Sequence, residues 1–384
     1  MNTGNPRRSP IWMPAEDWLL LAEMPAIARS LVARLRAAER EILIENYIFQ
    51  AGDWPEEILD ILCAKARDGL RVHLRLDAVG SYGFPESWVA RLRAAGGEFE
   101  WYHRLVWRSW QRSLRRSHRR MVLVDQEWAA VGGFAFADAW LRGDPGQVPY
   151  RELLYACAGP VVLLLRRLFL KNRPLSRQEL RTVPSADIDV GANAVLRLLA
   201  GSPPDRYTIR RRYLAAFRSA RESVWIATPY FNPDPIVLSA LYGAVRRGVD
   251  VRVLLAGRVT DHPLLRLGIQ AYYQKLLRHR VRVYEYQESF LHAKYILVDG
   301  QWGTVGSANL DFLSLWFNRE LNLELKGLIP LTLLRTLFLR EFARSQEISV
   351  EHWQRRPWWR RPLEWLLAQV DRRIQARALG SRRY

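Results

Sequence analysis

The sequence predicts an α/β chain built as a tandem duplication, with one α/β layer in each half, and two observations carry that reading. First, Glu41 to Phe49 (EILIENYIF) and Ser223 to Phe231 (SVWIATPYF) are both buried-strand-like runs that follow an Ala/Arg-rich helical stretch. Each leads to an amphipathic helix, a Gly turn and a second apolar strand, in AKARDGLRVHLRL from Ala64 and GAVRRGVDVRVLL from Gly243. The order β-α-β therefore occurs twice. Second, HRRMVLVDQEWAAVGG from His118 aligns without a gap on HAKYILVDGQWGTVGS from His292, sharing His, Leu-Val-Asp, Trp, Val and Gly at equal offsets. A Pro- and Arg-rich stretch from Lys171 to Pro184 joins the halves. The expected division is residues 1–184, residues 185–352 and a basic, Trp-rich tail over 353–384.

With 49% hydrophobic, 25% charged and 11% aromatic residues among 384, the chain has the composition of a folded globular protein rather than of a disordered or collagen-like one. Lys and Arg outnumber Asp and Glu by 58 to 39, a net charge of +19, which points to an anionic partner: nucleic acid, a phospholipid surface or a phosphorylated substrate. Cys63 and Cys157 lie in apolar runs and are too few for a disulfide framework or a thiolate metal site. The most apolar stretch, Leu153 to Leu170, is interrupted by Pro160, Arg166 and Arg167, and the N-terminus lacks the apolar core of a secretory signal. These features predict a chain that does not span a bilayer and works in the cytosol or on its membrane face.

In the second half, His292, Lys294, Asp299, Gly306, Ser307 and Asn309 form H-x-K-x4-D-x6-G-S-x-N. His and Lys at i and i+2 of a strand point to one face, so imidazole and ammonium share a site. The Gly-Ser-x-Asn turn can bring a hydroxyl and an amide to the same place, because glycine permits a tight backbone approach. The result is a phosphate-sized pocket holding a nucleophile. In the first half His118 and Asp125 stand at the matching positions, while the Lys position is Arg120 and the Asn position is Ala135. The chain has 53 Arg and only 5 Lys, so drift toward Arg accounts for Arg120, yet a planar guanidinium is not equivalent to a compact ammonium at phosphorus.

This constellation resembles the HKD motif of the phospholipase D superfamily. Tyr-Ile-Phe at Tyr47, Leu-Asp at Leu76, Gly-Pro-Val-Val at Gly159, Pro-Tyr-Phe at Pro229 and Ser-Ala-Asn-Leu-Asp at Ser307, with Ser314, Asn318 and Glu320, look most like bacterial cardiolipin synthases of the shorter B type. The resemblance implies two α/β sandwich domains with the active site at their interface. It implies catalysis by His118, His292, Lys294, Asp299, Arg120 and Asp125, with Lys294, Ser307, Asn309 and Arg120 binding substrate phosphate. It further implies that Glu320 partners His292 and Glu152, in Tyr150-Arg151-Glu152, partners His118. One histidine attacks phosphorus and the other protonates the leaving alcohol, with no metal and no cofactor. The substrates so implied are phosphatidylglycerol and a second phospholipid, giving cardiolipin. A nuclease or phosphodiesterase of the same superfamily and a catalytically impaired lipid-binding descendant are the rival readings.

Two basic aromatic segments complete the sequence. Trp107, Trp110 and Leu114 recur at helical spacing among arginines, and Trp358 and Trp359 precede an apolar stripe flanked by arginines in the tail. Trp at headgroup level and Arg on anionic lipid suit an interfacial anchor. The expected location is peripheral, on the cytoplasmic face of a bacterial inner membrane. No obligatory protein partner is evident, and nucleic acid is the less favoured anion.

Overall fold

The computed structural model describes residues 12–103, 115–143, 148–173, 194–201 and 207–359, with isolated positions between and after them. Among these, the first half forms a seven-stranded sheet and the second a nine-stranded sheet, as the duplication predicts. In the first half, strand Glu41–Asn46 passes through helix Asp53–Arg67 to the parallel strand Arg71–Asp77. In the second, Ser223–Ala227 passes through helix Pro235–Arg246 to Asp250–Ala256. Antiparallel to the first strand of each unit lies the strand that follows a motif histidine, Met121–Val124 or Tyr295–Val298. One crossing is outside the simple division into halves: Met13–Pro14, near the N-terminus, pairs with Val195–Gly201 at the edge of the second sheet.

Strand alternation explains the layers. In Glu41–Asn46, Ile42 and Ile44 face the helices of their own half, whereas Leu43 joins a core shared by both halves. There Leu43, Met121 and Leu123 meet Trp225, Tyr295 and Leu297, with helices Pro160–Lys171 and Leu328–Ala343 closing the edges. The two sheets are joined by one apolar core, and the motif histidines stand at its rim. Cys63 and Cys157 are buried thiols in these cores, as their apolar context predicts.

The carboxylates of the two motif aspartates, Asp125 and Asp299, for which the resemblance implied a catalytic role, bond backbone N–H groups. Each sits in a hairpin turn beyond the strand that follows its histidine. Positive φ at Asp125 and Gln126, and at Asp299 and Gly300, makes both turns the kind whose twist matches the flanking strands. The Asp125 carboxylate accepts from the backbone N–H groups of Glu39, Arg40 and Glu41 at 2.7 to 3.2 Å. Asp299 accepts from those of Arg221, Glu222 and Ser223 at 2.8 to 3.2 Å. Each aspartate thus anchors the chain as it enters the first strand of its unit, at the end of the hairpin away from the histidine. Asp125→Ala and Asp299→Ala are expected to lower unfolding free energy by about 1–3 kcal/mol each, read as a fall in urea midpoint, without the loss of turnover that follows removal of a histidine.

Candidate active site

Two short backbone bridges between the halves build the site. Ser117, just before His118, pairs with Arg319, just before Glu320. Leu291, just before His292, pairs with Arg151, just before Glu152. The His118 N–H donates to the Arg319 carbonyl at 2.9 Å, and the His292 N–H donates to that of Arg151 at 2.8 Å. Each histidine is thereby set opposite a glutamate of the other half. His118 Nδ1 lies 3.0 Å from Glu320 Oε2, and His292 Nδ1 lies 2.6 Å from Glu152 Oε2. This reverses the expected pairing of Glu320 with His292 and of Glu152 with His118: the partners are crossed because docking, rather than nearness in sequence, decides which carboxylate each ring meets. Both glutamates are fully buried and neither is an ordinary surface charge.

A carboxylate on Nδ1 fixes the tautomer that leaves Nε2 available for chemistry. A cation from the same half lies at each ring: Lys294 Nζ is 2.8 Å from Nε2 and 2.9 Å from Nδ1 of His292, and Arg120 Nη2 is 3.2 Å from Nε2 of His118. Arg120 also donates to the Gly133 carbonyl and lies over the Tyr47 ring at 5.8 Å, so a guanidinium takes the place of the ammonium in the first half. Asn309 is buried in the motif turn with its Oδ1 unbonded, and its counterpart Ala135 belongs to the apolar core. Ser307, expected to bind phosphate, bonds within the protein. Its hydroxyl donates to Glu320 Oε2 at 2.6 Å and accepts from the Leu321 N–H at 3.0 Å, so it orients the carboxylate behind His118. At the matching position, Gly133 makes room for Glu152, since a Cβ there would lie 2.6 Å from its Oε1.

Burial governs the proton affinities. It holds His118 below the ordinary imidazole value although Glu320 pulls upward, and it holds His292 well below that value with help from Lys294 and Arg120. It brings the Lys294 ammonium down to about 7 and also lowers Arg120. The two glutamates diverge. Burial raises Glu152, whereas in Glu320 the upward push of burial is outweighed by His118 and the Ser307 hydroxyl, leaving it below the usual carboxylate range. Asp311, beyond Asn309, is raised to about 6 by burial.

Two aromatic neighbours carry no signal in the motif. Tyr47 meets His118 edge-on at 4.8 Å, and Trp140 meets His292 at 5.2 Å. Tyr47 lies in a segment that carries the resemblance, whereas Trp140, in helix Asp138–Arg142, stands where the repeat places Ser314 in helix Phe312–Trp316, so no shared residue type marks it. Of the expected anchor residues, Trp358 and Trp359 are exposed, and Trp107 and Trp110 lie outside the described residues.

A family model described as cardiolipin synthase, PLD-like domain, matches residues 213–342, which contain the intact second motif. The chain is 34% identical over 336 residues to a cardiolipin synthase of Geobacillus kaustophilus, covering 85% of this chain and 66% of that one. It is 34% identical over 337 residues to cardiolipin synthase A of Pseudomonas fluorescens, covering 86% and 70%. It thus spans about two thirds of the length of these relatives, whose names do not carry the finer B-type assignment. Among solved structures, phosphatidylserine synthase of Haemophilus influenzae shares the fold, with a TM-score of 0.75 at 13% identity over 96% of both chains. Polyphosphate kinase of Porphyromonas gingivalis does so with a TM-score of 0.59 at 16% identity, over 87% of this chain and 49% of that one.

The crossed pairs give a direct test. Glu320→Gln should lower the pKa of His118, because the carboxylate that raises it is gone, and should move His292 much less. Ring titration by NMR would reveal an uncrossed arrangement if His292 responded instead.

Proposed function

Because the chain belongs to the cardiolipin synthase family, whose domains are phospholipase D-like, we propose that it forms cardiolipin by transferring a phosphatidyl group onto phosphatidylglycerol through a phosphohistidine. The observation that carries this reading is the pair of buried imidazoles, each backed at Nδ1 by a carboxylate from the other half and flanked at Nε2 by a cation. One Nε2 attacks the phosphorus of the donor lipid. The P–O bond to the departing headgroup breaks, and the second imidazole supplies the proton to its oxygen. That imidazole, now neutral, then takes the proton of the acceptor glycerol hydroxyl, whose oxygen displaces the first histidine from phosphorus. The phosphodiester count is conserved, and a hard displacement becomes two easier ones.

The glutamates support a division of labour. A carboxylate that stays ionised stabilises the positive charge a phosphorylated imidazole carries, and Glu320, lowered and held by Ser307, suits that task behind His118. Glu152, raised by burial, holds a proton more readily and shares it with His292 at 2.6 Å, which suits an acid and base. In this reading His118 is the nucleophile and His292 the proton carrier. Lys294 and Arg120 neutralise the non-bridging phosphate oxygens, and an arriving phosphodiester anion raises the proton affinity of Lys294 from its resting value near 7. The peripheral attachment belongs to the same proposal. Among the described residues no helix is long and apolar enough to cross a membrane, and Trp358 and Trp359 present 77% and 53% of their surface to the surroundings.

Labelled phosphatidylglycerol, with and without phosphatidylethanolamine, is expected to yield labelled cardiolipin in the presence of a chelator, and which headgroup is released identifies the donor. Water in place of phosphatidylglycerol as acceptor would yield phosphatidic acid alone and refute the transferase reading. His118→Ala and His292→Ala should each abolish turnover, and an alkaline quench with a phosphorus-labelled donor, which preserves the acid-labile N–P bond, should place the label on His118. Label on His292 would reverse the roles. Vesicles containing anionic phosphatidylglycerol should co-sediment the chain, and its removal after Gln354 together with Trp107→Ala and Trp110→Ala should shift it to the supernatant. Unchanged sedimentation would discard the anchor.

A further inference from the structure

Two buried oxygens at the site are acceptors with nothing to accept. Asp261, in the loop after strand Asp250–Ala256, receives the Tyr230 hydroxyl on Oδ2 at 2.5 Å, and His262 Nε2 lies 3.7 Å from the same oxygen. Its Oδ1 is buried and has no hydrogen-bond partner among the described residues. The Oδ1 of Asn309, a residue only 4% exposed, is in the same condition. A hydrogen bond from Asn309 is one of the causes that pull Asp311 downward against burial, so its N–H serves that carboxylate and the carbonyl oxygen is the atom left over. The resemblance implied that Asn309 binds phosphate, but a carbonyl oxygen repels an anion and suits a hydrogen-bond donor.

Both acceptors belong to the pocket of the two cations. Phe231–Asn232 pairs in parallel with Leu310–Asp311, which brings Tyr230 beside Asn309. Thr228 fastens the two segments, its hydroxyl donating to the Tyr230 carbonyl at 2.9 Å and accepting from the Leu310 N–H at 3.2 Å. Tyr230 packs against the apolar cores of both halves, so it stands where they meet. Asp261 is near enough to Lys294 to hold its ammonium up against burial, and Arg120 is near enough to Tyr230 to pull against the rise of its phenol. Burial and the Asp261 charge nevertheless push that phenol well up, so Tyr230 stays a donor and fixes Oδ2. A carboxylate beside Lys294 and Arg120 weakens their hold on a phosphodiester, and a hydroxyl donated by the same ligand offsets that cost. The first half has no such pair. Strand register sets Ile48 at the place of Tyr230 and, counted from the ends of Arg71–Asp77 and Asp250–Ala256, Tyr82 at that of Asp261, while Ala135 stands for Asn309. Tyr82 is 86% exposed and Ala135 lies in the apolar core. The acceptors therefore belong to the half of His292, the imidazole that in the proposed function takes the proton of the acceptor hydroxyl.

We propose that Asp261, steadied by Tyr230, and Asn309 form the subsite for a glycerol headgroup, their Oδ1 atoms accepting from its free hydroxyls while Lys294 and Arg120 hold the phosphate under attack. The leaving glycerol of a donor lipid and the attacking glycerol of an acceptor occupy the same side of phosphorus, opposite the nucleophile, so one subsite serves both. An ethanolamine headgroup brings a third positive charge beside Lys294 and Arg120, whereas hydroxyls donate without charge, and the subsite therefore selects glycerol. The inference rests on the phosphatidyl transfer proposed above and names the residues that choose its headgroup.

Calorimetric titration of the full chain carrying His118→Ala, which lacks the proposed nucleophile, compares two soluble dihexanoyl lipids: phosphatidylglycerol, and phosphatidylpropanol, which has no free headgroup hydroxyl. Phosphatidylglycerol should bind at least about tenfold tighter. Adding Asp261→Leu should weaken phosphatidylglycerol by about tenfold and leave phosphatidylpropanol unchanged or tighter, because a negative charge beside the phosphate is gone. Misfolding cannot imitate that split. Asn309→Leu, of similar size, should lower the same preference through the second acceptor, and dihexanoyl phosphatidylethanolamine should bind more weakly than phosphatidylglycerol. Binding of neither lipid, equal affinities in the parent, equal losses for both lipids, a preference that neither substitution moves, or tighter binding of phosphatidylethanolamine each overturns the subsite. Cardiolipin formed by the unmodified chain without that preference would discard the subsite and keep the transferase, and the preference without cardiolipin would do the reverse.

Discussion

The site depends on one constraint, the register at which the two halves meet. Two backbone bridges, Ser117 with Arg319 and Arg151 with Leu291, set each histidine against the carboxylate of the opposite half. A shift of one residue in either bridge would turn every side chain to the other face and separate both pairs at once. The register is held by the shared apolar core, where Leu43 and Met121 of one sheet meet Trp225 and Tyr295 of the other. Hydrophobic burial thus supplies the energy, and the crossed pairs convert it into position. A buried His–Glu pair contributes little stability by itself, because desolvation offsets much of its Coulombic attraction, so its value here lies in geometry.

Duplication within one chain allows the two positions around each pair to diverge, which two identical chains related by symmetry could not do. Lys294 and Arg120 occupy equivalent places beside the two Nε2 atoms, and Ser307 and Gly133 occupy equivalent places behind the two glutamates. The last difference has the larger electrostatic consequence. A hydroxyl donating to Glu320 favours its ionised form, whereas the bare glycine beside Glu152 leaves burial to raise it. Two histidines in nearly the same surroundings are thereby given carboxylates of opposite tendency, the condition under which one can carry positive charge while the other passes a proton.

Much of this was legible in the sequence because it is periodic or repeated. The two β-α-β units, the two histidines and the Arg120 and Ala135 departures can be found by offset alone, whereas Glu152 and Glu320 stand at unequal distances from their histidines and come only from the family resemblance. The crossed pairing is not legible at all, since the sequence joins a glutamate to the histidine of its own half and only docking sends it to the other. Asp125 and Asp299 illustrate a second limit. Their fixed distance from the histidines suggests chemistry, but the spacing is that of a strand and its hairpin turn, and the carboxylates tie down backbone N–H groups. Trp140 shows a third, for its ring touches His292 from a position that is Ser314 in the other half, so no shared residue type marks it.

The same comparison of halves separates necessity from accident among the many arginines. A chain with 53 Arg and 5 Lys keeps Lys294 at the intact motif, so replacement by arginine has stopped where a compact cation beside Nε2 is required. On the wall behind His118 the reverse has happened: positions that are Ala, Leu and Phe in one half are charged in the other, and arginine is buried where the fold itself is satisfied by apolar side chains. Packing cannot explain that difference, because the apolar version of the same wall stands in the same molecule.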